Sequence, residues 1–290
     1  MKLLTYSTGT EPRFGAALER DGHMGVIDLA AADSRLPSTL DAYLAGACAG
    51  RPLIEAVLAR SDVPLLALAA VRLLPPVARP SKVLCIGLNY RDHAAEVKLD
   101  LPTSPTVFAK FASTLVGDGA AIVIPKQSDQ VDYEAELAFV IGRRAHDVLE
   151  SDAYAYVAGY TIFNDVSVRD VQMRTSQWTL GKAFDTHGPI GPWIVTPDEI
   201  PDPHVLGIRL RIGDEVLQDS STAQLVFGIP RLIAELSAVM TLEPGDIVAT
   251  GTPAGVGFIK KPPRYLRAGE RVRVEIDGIG ALENPVAAAA

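Results

Sequence analysis

The stretch Asp132-Tyr133-Glu134-Ala135-Glu136-Leu137-Ala138-Phe139-Val140-Ile141-Gly142 decides the fold. Its last part, Leu137 to Ile141, is apolar throughout, so it reads as a strand buried on both faces. Side chains alternate along a strand, and Glu134 and Glu136 therefore project from one face where the strand enters the core. Two carboxylates side by side at a core boundary repel one another. They call for a shared proton, a Lys or Arg, or a metal.

A second apolar strand, Tyr160-Thr161-Ile162-Phe163-Asn164-Asp165, turns polar only in its last two residues. Asp165 thus adds a third carboxylate at a strand end. Three carboxylates from two strands make an all-oxygen site, which favours Mg²⁺, Mn²⁺ or Ca²⁺ over Zn²⁺. The same residues also read as an ordinary E-x-E on a solvated face plus an aspartate at a turn. Spacing alone slightly favours that plainer reading, because nothing in it brings Asp165 to the pair.

Outward from these strands, Val83 to Gly87 is a short buried strand. Ile208 to Ile212 and Glu215 to Gln218 form a hairpin over Gly213-Asp214, and Val272 to Ile276 alternates up to the Asp277-Gly278 turn. One helix stands out: Ile229, Leu232, Ile233, Leu236 and Met240 share a face, with Pro230 in the first turn. Near the N-terminus, Phe14 to Glu19 and Met24 to Leu29 read as strands around Asp21-Gly22, and Leu53 to Leu66 as a helix. The proline-rich connector Leu73 to Pro80 marks a boundary. The expected class is α+β and β-rich, a rolled or sandwiched sheet, with a small N-terminal domain at 1–78 and a larger domain at 79–290. No βαβ series, GxGxxG, Walker motif or internal repeat is visible.

The chain has 290 residues, 48% hydrophobic and 21% charged, which suits a globular protein and excludes disorder, collagen and low complexity. Its net charge of −8, with no basic run, disfavours nucleic acid. The apolar stretch Val63 to Val71 is too short to span a bilayer, and no signal-peptide core opens the chain. Cys48 and Cys85 give no disulfide framework, and Cys85 reads as a buried thiol. The expectation is a cytoplasmic protein with a small-molecule partner and no membrane or nucleic-acid partner.

Other segments could carry chemistry. If Asp92 to Val97 is helical, His93 and Glu96 are i,i+3 neighbours, and the carboxylate fixes the imidazole tautomer as a general base requires. Lys182 lies in Gly181 to Pro189, expected to be an irregular loop. Arg169 and Gln172 are i,i+3 in a short helix after Asp165. Thr250-Gly251-Thr252-Pro253-Ala254-Gly255-Val256-Gly257 follows a strand and lets backbone approach a ligand closely. Each of these, alone, also reads as a polar helix face, a solvated lysine or a tight turn.

Their order is more specific than any one of them. From Lys82 to Val286 the chain resembles the fumarylacetoacetate hydrolase family, on Gly87-Leu88-Asn89-Tyr90 with His93 and Glu96, Asp132 to Leu137, and Asn164 to Asp170. The likeness continues through Gly181 to Thr186, Gly188 to Pro192, Pro244-Gly245-Asp246 and Gly251 to Gly257. Phe111 departs from it, standing where the family often has proline. The resemblance implies a mixed β-roll catalytic domain, usually dimeric. It implies Mg²⁺ or Mn²⁺, with Ca²⁺ as a substitute, on Glu134, Glu136 and Asp165. It implies that His93 with Glu96 activates water, that Lys182 stabilises negative charge, and that Tyr90, Arg169, Gln172 and Thr252 touch substrate. The first expected activity is hydrolysis of a C–C bond in a 2,4-dioxo acid such as an acylpyruvate, with an enolate leaving group. The second is a 2-oxo acid lyase such as an oxaloacetate decarboxylase, and the third a non-catalytic keto-acid binder. Arg91 to Pro105 is expected to act as a lid, with Trp178, Leu180 and His187 shaping specificity.

Overall fold

A computed structural model describes residues 1–289. The apolar run at 137–141 does form the centre of the molecule. Strand Ala135–Ile141 is buried at every position and pairs antiparallel with Val157–Asn164 on one side and Ile247–Ala249 on the other. Both faces are covered, which is why the run is continuous rather than alternating.

This strand sits inside a twelve-stranded mixed sheet. In order it runs Leu66–Ala67, His23–Asp28, Arg13–Arg20, Lys2–Ser7, Gly188–Val195, Val157–Asn164, Ala135–Ile141, Ile247–Ala249, Val83–Gly87 and Thr106–Lys110. Arg72–Leu74 and Leu115–Val116 pair at its flank. A five-stranded sheet, Glu215–Ser221, Gly207–Ile212, Arg271–Ile276, Gly280–Ala288 and Ile122–Ile124, packs beside it. The hairpin strands of this sheet alternate buried and exposed, as one covered face requires. The mixed, strand-rich α+β class read from the sequence is the class observed.

The large sheet runs across residue 78. Lys2 and Leu3 pair with Val195 and Ile194, and the terminal ammonium of Met1 donates to Thr196 Oγ1 at 2.6 Å. Helix Ile229–Val239 packs Ile229, Leu232, Ile233 and Leu236 inward, as its periodicity requires. No helix among the described residues is long and apolar enough to cross a membrane.

Two local expectations need correction. The helix expected over Leu53 to Leu66 covers only Arg51–Leu58, and Leu66–Ala67 is a strand. Pro64 bars a helix through to Leu66, because it lacks an N–H and biases Val63 away from helical geometry. Lys182 does not lie in an irregular loop: Thr179–Lys182 is one helical turn. Gly181 permits it, since a Cβ there would lie 2.5 Å from the backbone of Gln172 in the adjoining helical turn.

Candidate active site

The antiparallel register Ala135↔Asn164 brings the ends of the two central strands together. The backbone N–H of Glu134 donates to Asn164 Oδ1 (3.0 Å), and that of Asp165 to the Glu134 carbonyl (2.9 Å). Oxygens of Glu134, Glu136 and Asp165 then lie within 4.8 Å of one another, and all three residues are buried. What spacing alone left open, the pairing of these strands decides.

Cations surround the cluster. Lys182 Nζ lies 2.7 Å from both Glu134 Oε2 and Asp165 Oδ2. Lys110 Nζ donates to Asp165 Oδ1 at 2.7 Å and to the Val166 carbonyl at 3.1 Å. Arg169 Nε donates to Asp132 Oδ2 at 2.8 Å and Nη1 to Gln172 Oε1 at 2.9 Å. Its Nη2 approaches Glu134 Oε1 to 2.7 Å, an ion pair without hydrogen-bond alignment. Four buried carboxylates, counting Asp132, thus face three buried cations. Glu136 is the carboxylate left over. Among the described residues no side-chain cation pairs with it, and its Oε2 accepts only the Gly251 N–H at 2.9 Å.

The electrostatics follow this geometry. Burial pushes the Glu136 carboxyl well above its ordinary range, and the neighbouring Asp165 and Glu134 charges push it further. Burial acts on Glu134 in the same sense, but Lys182 and Arg169 overcome it and hold that carboxyl low. Burial works against the Lys182 ammonium, yet Asp165 and Glu134 hold its pKa above the ordinary value. A buried cluster of carboxyl oxygens in which Glu136 has no cation of its own fits a hard divalent cation such as Mg²⁺ or Mn²⁺.

The proposed base lies on the other wall. Helix Arg91–Val97 forms as expected and places His93 Nδ1 3.2 Å from Glu96 Oε2. The Gly255 N–H donates to both Glu96 oxygens, at 3.0 and 3.1 Å. Gly255 has φ +108°, and a Cβ there would lie 2.1 Å from the Leu217 carbonyl, so the loop reaches Glu96 only as glycine. Thr252 is fixed from the second sheet: Gln218 Nε2 donates to its Oγ1 at 2.8 Å, while Gln218 Oε1 accepts from the Ala135 N–H at 2.9 Å.

One cavity of about 400 Å³ joins the two walls. His93, Glu96, Glu134, Glu136, Lys182 and Thr252 line it, with Arg169 and Gln172 beside them. Asp165 is fully buried behind them, under Lys182 and Lys110. Tyr90, expected at the substrate, does not line the cavity. It is wholly buried before the helix, its hydroxyl has no partner, and it packs with the core because its aromatic ring continues the apolar Val83–Gly87 segment inward. Of the residues expected to shape specificity, Trp178 lines the cavity, with Phe108 edge-on at 5.7 Å. Leu180 points to solvent and His187 is buried outside the cavity, its Nε2 against the Val123 carbonyl at 2.9 Å.

Sequence reading gave no role to Lys110, Asp132 or Gln218. Lys110 ends an otherwise apolar strand, a signal that could have marked it. Asp132 opens the E-x-E segment and accepts from the Tyr133, Gly257 and Phe258 N–H groups as well as Arg169. Gln218 reaches the site from a different sheet, and nothing in its neighbours along the chain signals that.

Comparison with known proteins agrees with this geometry. Residues 82–287 match the family model described as fumarylacetoacetate (FAA) hydrolase C-terminal. The chain is 45% identical over 290 residues to "Oxaloacetate tautomerase fahd2, mitochondrial" of Xenopus laevis, covering 99% of this chain and 90% of that protein. Among solved structures it resembles a fumarylacetoacetate hydrolase from Exiguobacterium antarcticum (35% identity, TM-score 0.86, 100% of both chains). It also resembles the maleylpyruvate hydrolase of Sphingobium sp. SYK-6 in complex with manganese(II) ion and pyruvate (32% identity, TM-score 0.83, 100% of both chains). With its central strands, acidic triad and His93–Glu96 helix in place, the chain belongs to the fumarylacetoacetate hydrolase family.

Proposed function

We propose that this protein is a divalent-metal-dependent enzyme that interconverts keto and enol forms of a small 2-oxo dicarboxylic acid of the oxaloacetate type. The observation that carries the reading is the His93–Glu96 pair facing Lys182 across one cavity, which sets a single base opposite a fixed positive charge. The near-full-length similarity to an oxaloacetate tautomerase supports the substrate class. Hydrolysis, the first expectation from sequence, becomes the second reading.

In the proposed reaction, Glu96 holds the His93 Nδ1–H, leaving Nε2 to take a proton from C3 of the keto acid. The electron pair moves onto the 2-oxo oxygen, which then takes a proton from water to give the enol. The reverse path returns the proton from His93 to C3. Lys182 balances the oxygen's charge during either passage. A divalent cation held by Glu134, Glu136 and Asp165 supplies Lewis-acid stabilisation of that same charge. Arg169, Gln172 and Thr252 orient the substrate, and the apolar wall around Trp178 and Phe258 keeps bulk water away.

Hydrolysis uses the same parts differently. His93 deprotonates a water that attacks the distal carbonyl of a 2,4-dioxo acid. The C3–C4 bond breaks, and the imidazolium returns its proton to C3 of the enolate. The similarity to a maleylpyruvate hydrolase supports this alternative. A homodimer is part of the proposal, and light scattering tests it.

The deciding experiment follows decay of enol-oxaloacetate absorbance with EDTA-stripped enzyme, with and without restored Mg²⁺, while NMR reads products. Metal-dependent ketonisation without added pyruvate supports the tautomerase. Pyruvate and CO₂ would make it a decarboxylase, and acetate plus pyruvate from acetylpyruvate a hydrolase. No turnover of either acid would overturn the enzymatic reading.

A further inference from the structure

Three Lys or Arg side chains line the cavity: Arg169, Lys182 and Lys98. The first two are buried and already ion-paired within the protein. Arg169 is paired with Asp132 and Glu134, and Lys182 with Glu134 and Asp165. Lys98 differs. Among the described residues it has no carboxylate partner, and it stands exposed at the cavity mouth.

Its place is set by the backbone. Lys98 ends helix Arg91–Val97 in the left-handed conformation (φ 56°, ψ 41°), and its N–H turns back to the Ala94 and Ala95 carbonyls. The lysine is therefore fixed to the helix that carries His93 and Glu96. It lies five residues after the base, on the same wall of the same cavity.

A dicarboxylic substrate raises a charge problem that this residue solves. One carboxylate and the 2-oxo group belong at the acidic triad. The second carboxylate must then lie elsewhere in a cavity also lined by the carboxyl groups of Glu96, Glu134 and Glu136, and whose remaining wall is largely apolar. Against either, an unpaired carboxylate is costly. We propose that Lys98 receives the distal carboxylate of the substrate and so selects 2-oxo dicarboxylates over 2-oxo monocarboxylates. The inference rests on the proposed function for its substrate class. It adds the residue that reads the second charge, and it ties that reading to the helix bearing the base.

The test compares Mg²⁺-loaded wild type with Lys98→Gln and Lys98→Arg. Activity is read as the ratio of KM for acetylpyruvate to KM for oxaloacetate. Binding is read separately from the fluorescence of Trp178, titrating 2-oxoglutarate against 2-oxobutyrate. The second tryptophan, Trp193, is buried outside the cavity with its indole N–H on the Ile279 carbonyl. The dicarboxylate preference should fall about three- to fivefold in Lys98→Gln, the loss of one charge-assisted contact at an exposed site. Lys98→Arg should retain most of it. A lysine serving only the helix end would leave the preference ratio intact, and that result overturns the proposal, as does a wild type without any dicarboxylate preference in binding. If wild type turns over neither acid, the proposed function fails, while the binding ratio still decides the role of Lys98.

Discussion

The Gly255 N–H donates to both carboxylate oxygens of Glu96, so the glycine loop anchors the residue that contacts His93 Nδ1, the proposed base. Glu96→Gln should keep an acceptor for Gly255 but turn an amide donor toward His93 Nδ1. The imidazole must then carry its proton on Nε2, where it cannot act as a base. Turnover should fall about 10²-fold or more, as it should for His93→Gln, while metal titration is unaffected. Loss of metal binding in either variant would show that the pair serves the acidic cluster instead.

Glu136→Gln should separate stability from function. Without metal, the wild-type carboxyl is buried beside two others and has no cation of its own. The amide removes that repulsion, and the chain in EDTA should gain about 1–2 kcal/mol, read by urea denaturation. Metal affinity should collapse at the same time. A variant no more stable than wild type in EDTA would contradict the uncompensated charge.

Asp132→Asn should be severe. Asp132 accepts three backbone N–H groups and the Arg169 guanidinium while fully buried. Removing its charge leaves Arg169 underpaired, at about 3–5 kcal/mol. Calorimetry measures it, and a loss below 1 kcal/mol would mean that the network relaxes around the change.

His187 should make stability depend on pH. Burial, more than any other influence, lowers its pKa from 6.5 to about 4. The unfolded chain therefore binds the proton near pH 6.5 and the folded chain only near pH 4, so stability rises with pH across this window. The contribution is present above pH 6.5 and lost as pH falls to 4, about 3 kcal/mol in all. Urea denaturation at pH 7.5 and 4.5 should show that slope shrinking in His187→Gln. An unchanged slope would assign it to other groups.

Exchange at Arg91 to Pro105 should respond to ligand. The helix is followed by an irregular segment with Leu99 and Leu101 exposed. Amide exchange there should slow when an oxalate-like inhibitor is added with Mg²⁺. Equal rates with and without inhibitor would argue that the segment is no lid.

Much of the molecule could be read along the chain. Period-two alternation places Arg271–Ile276, a continuous apolar run places Ala135–Ile141, and periodicity near 3.6 places Ile229–Val239. Such signals are local, and one strand or helix carries each whole. The site was legible only in part. Glu134 and Glu136 share a face by strand geometry alone, but their meeting with Asp165 depends on strand register. Lys110, Asp132 and Gln218 act through partners 55, 37 and 34 residues away, respectively. Tyr90 shows the converse: Leu88 and His93, close to it in sequence, line the cavity, whereas its own ring lies in the core.

The central position of strand Ala135–Ile141 has a consequence for how such a protein can change. Hydrogen-bonded on both edges, its amides open only with much of the sheet, so substitutions there threaten the whole fold. The seven-residue helix with His93, capped by Lys98, is held instead by side chains, Ser220 donating to Asp92 and the Gly255 N–H to Glu96. The acidic cluster is thereby tied to the least tolerant part of the chain, whereas His93 and Lys98, to which the proposals give proton transfer and the substrate tail, sit in a part held by fewer backbone bonds. A new reaction on this scaffold would require few changes, all of them on one short helix and the loop it touches.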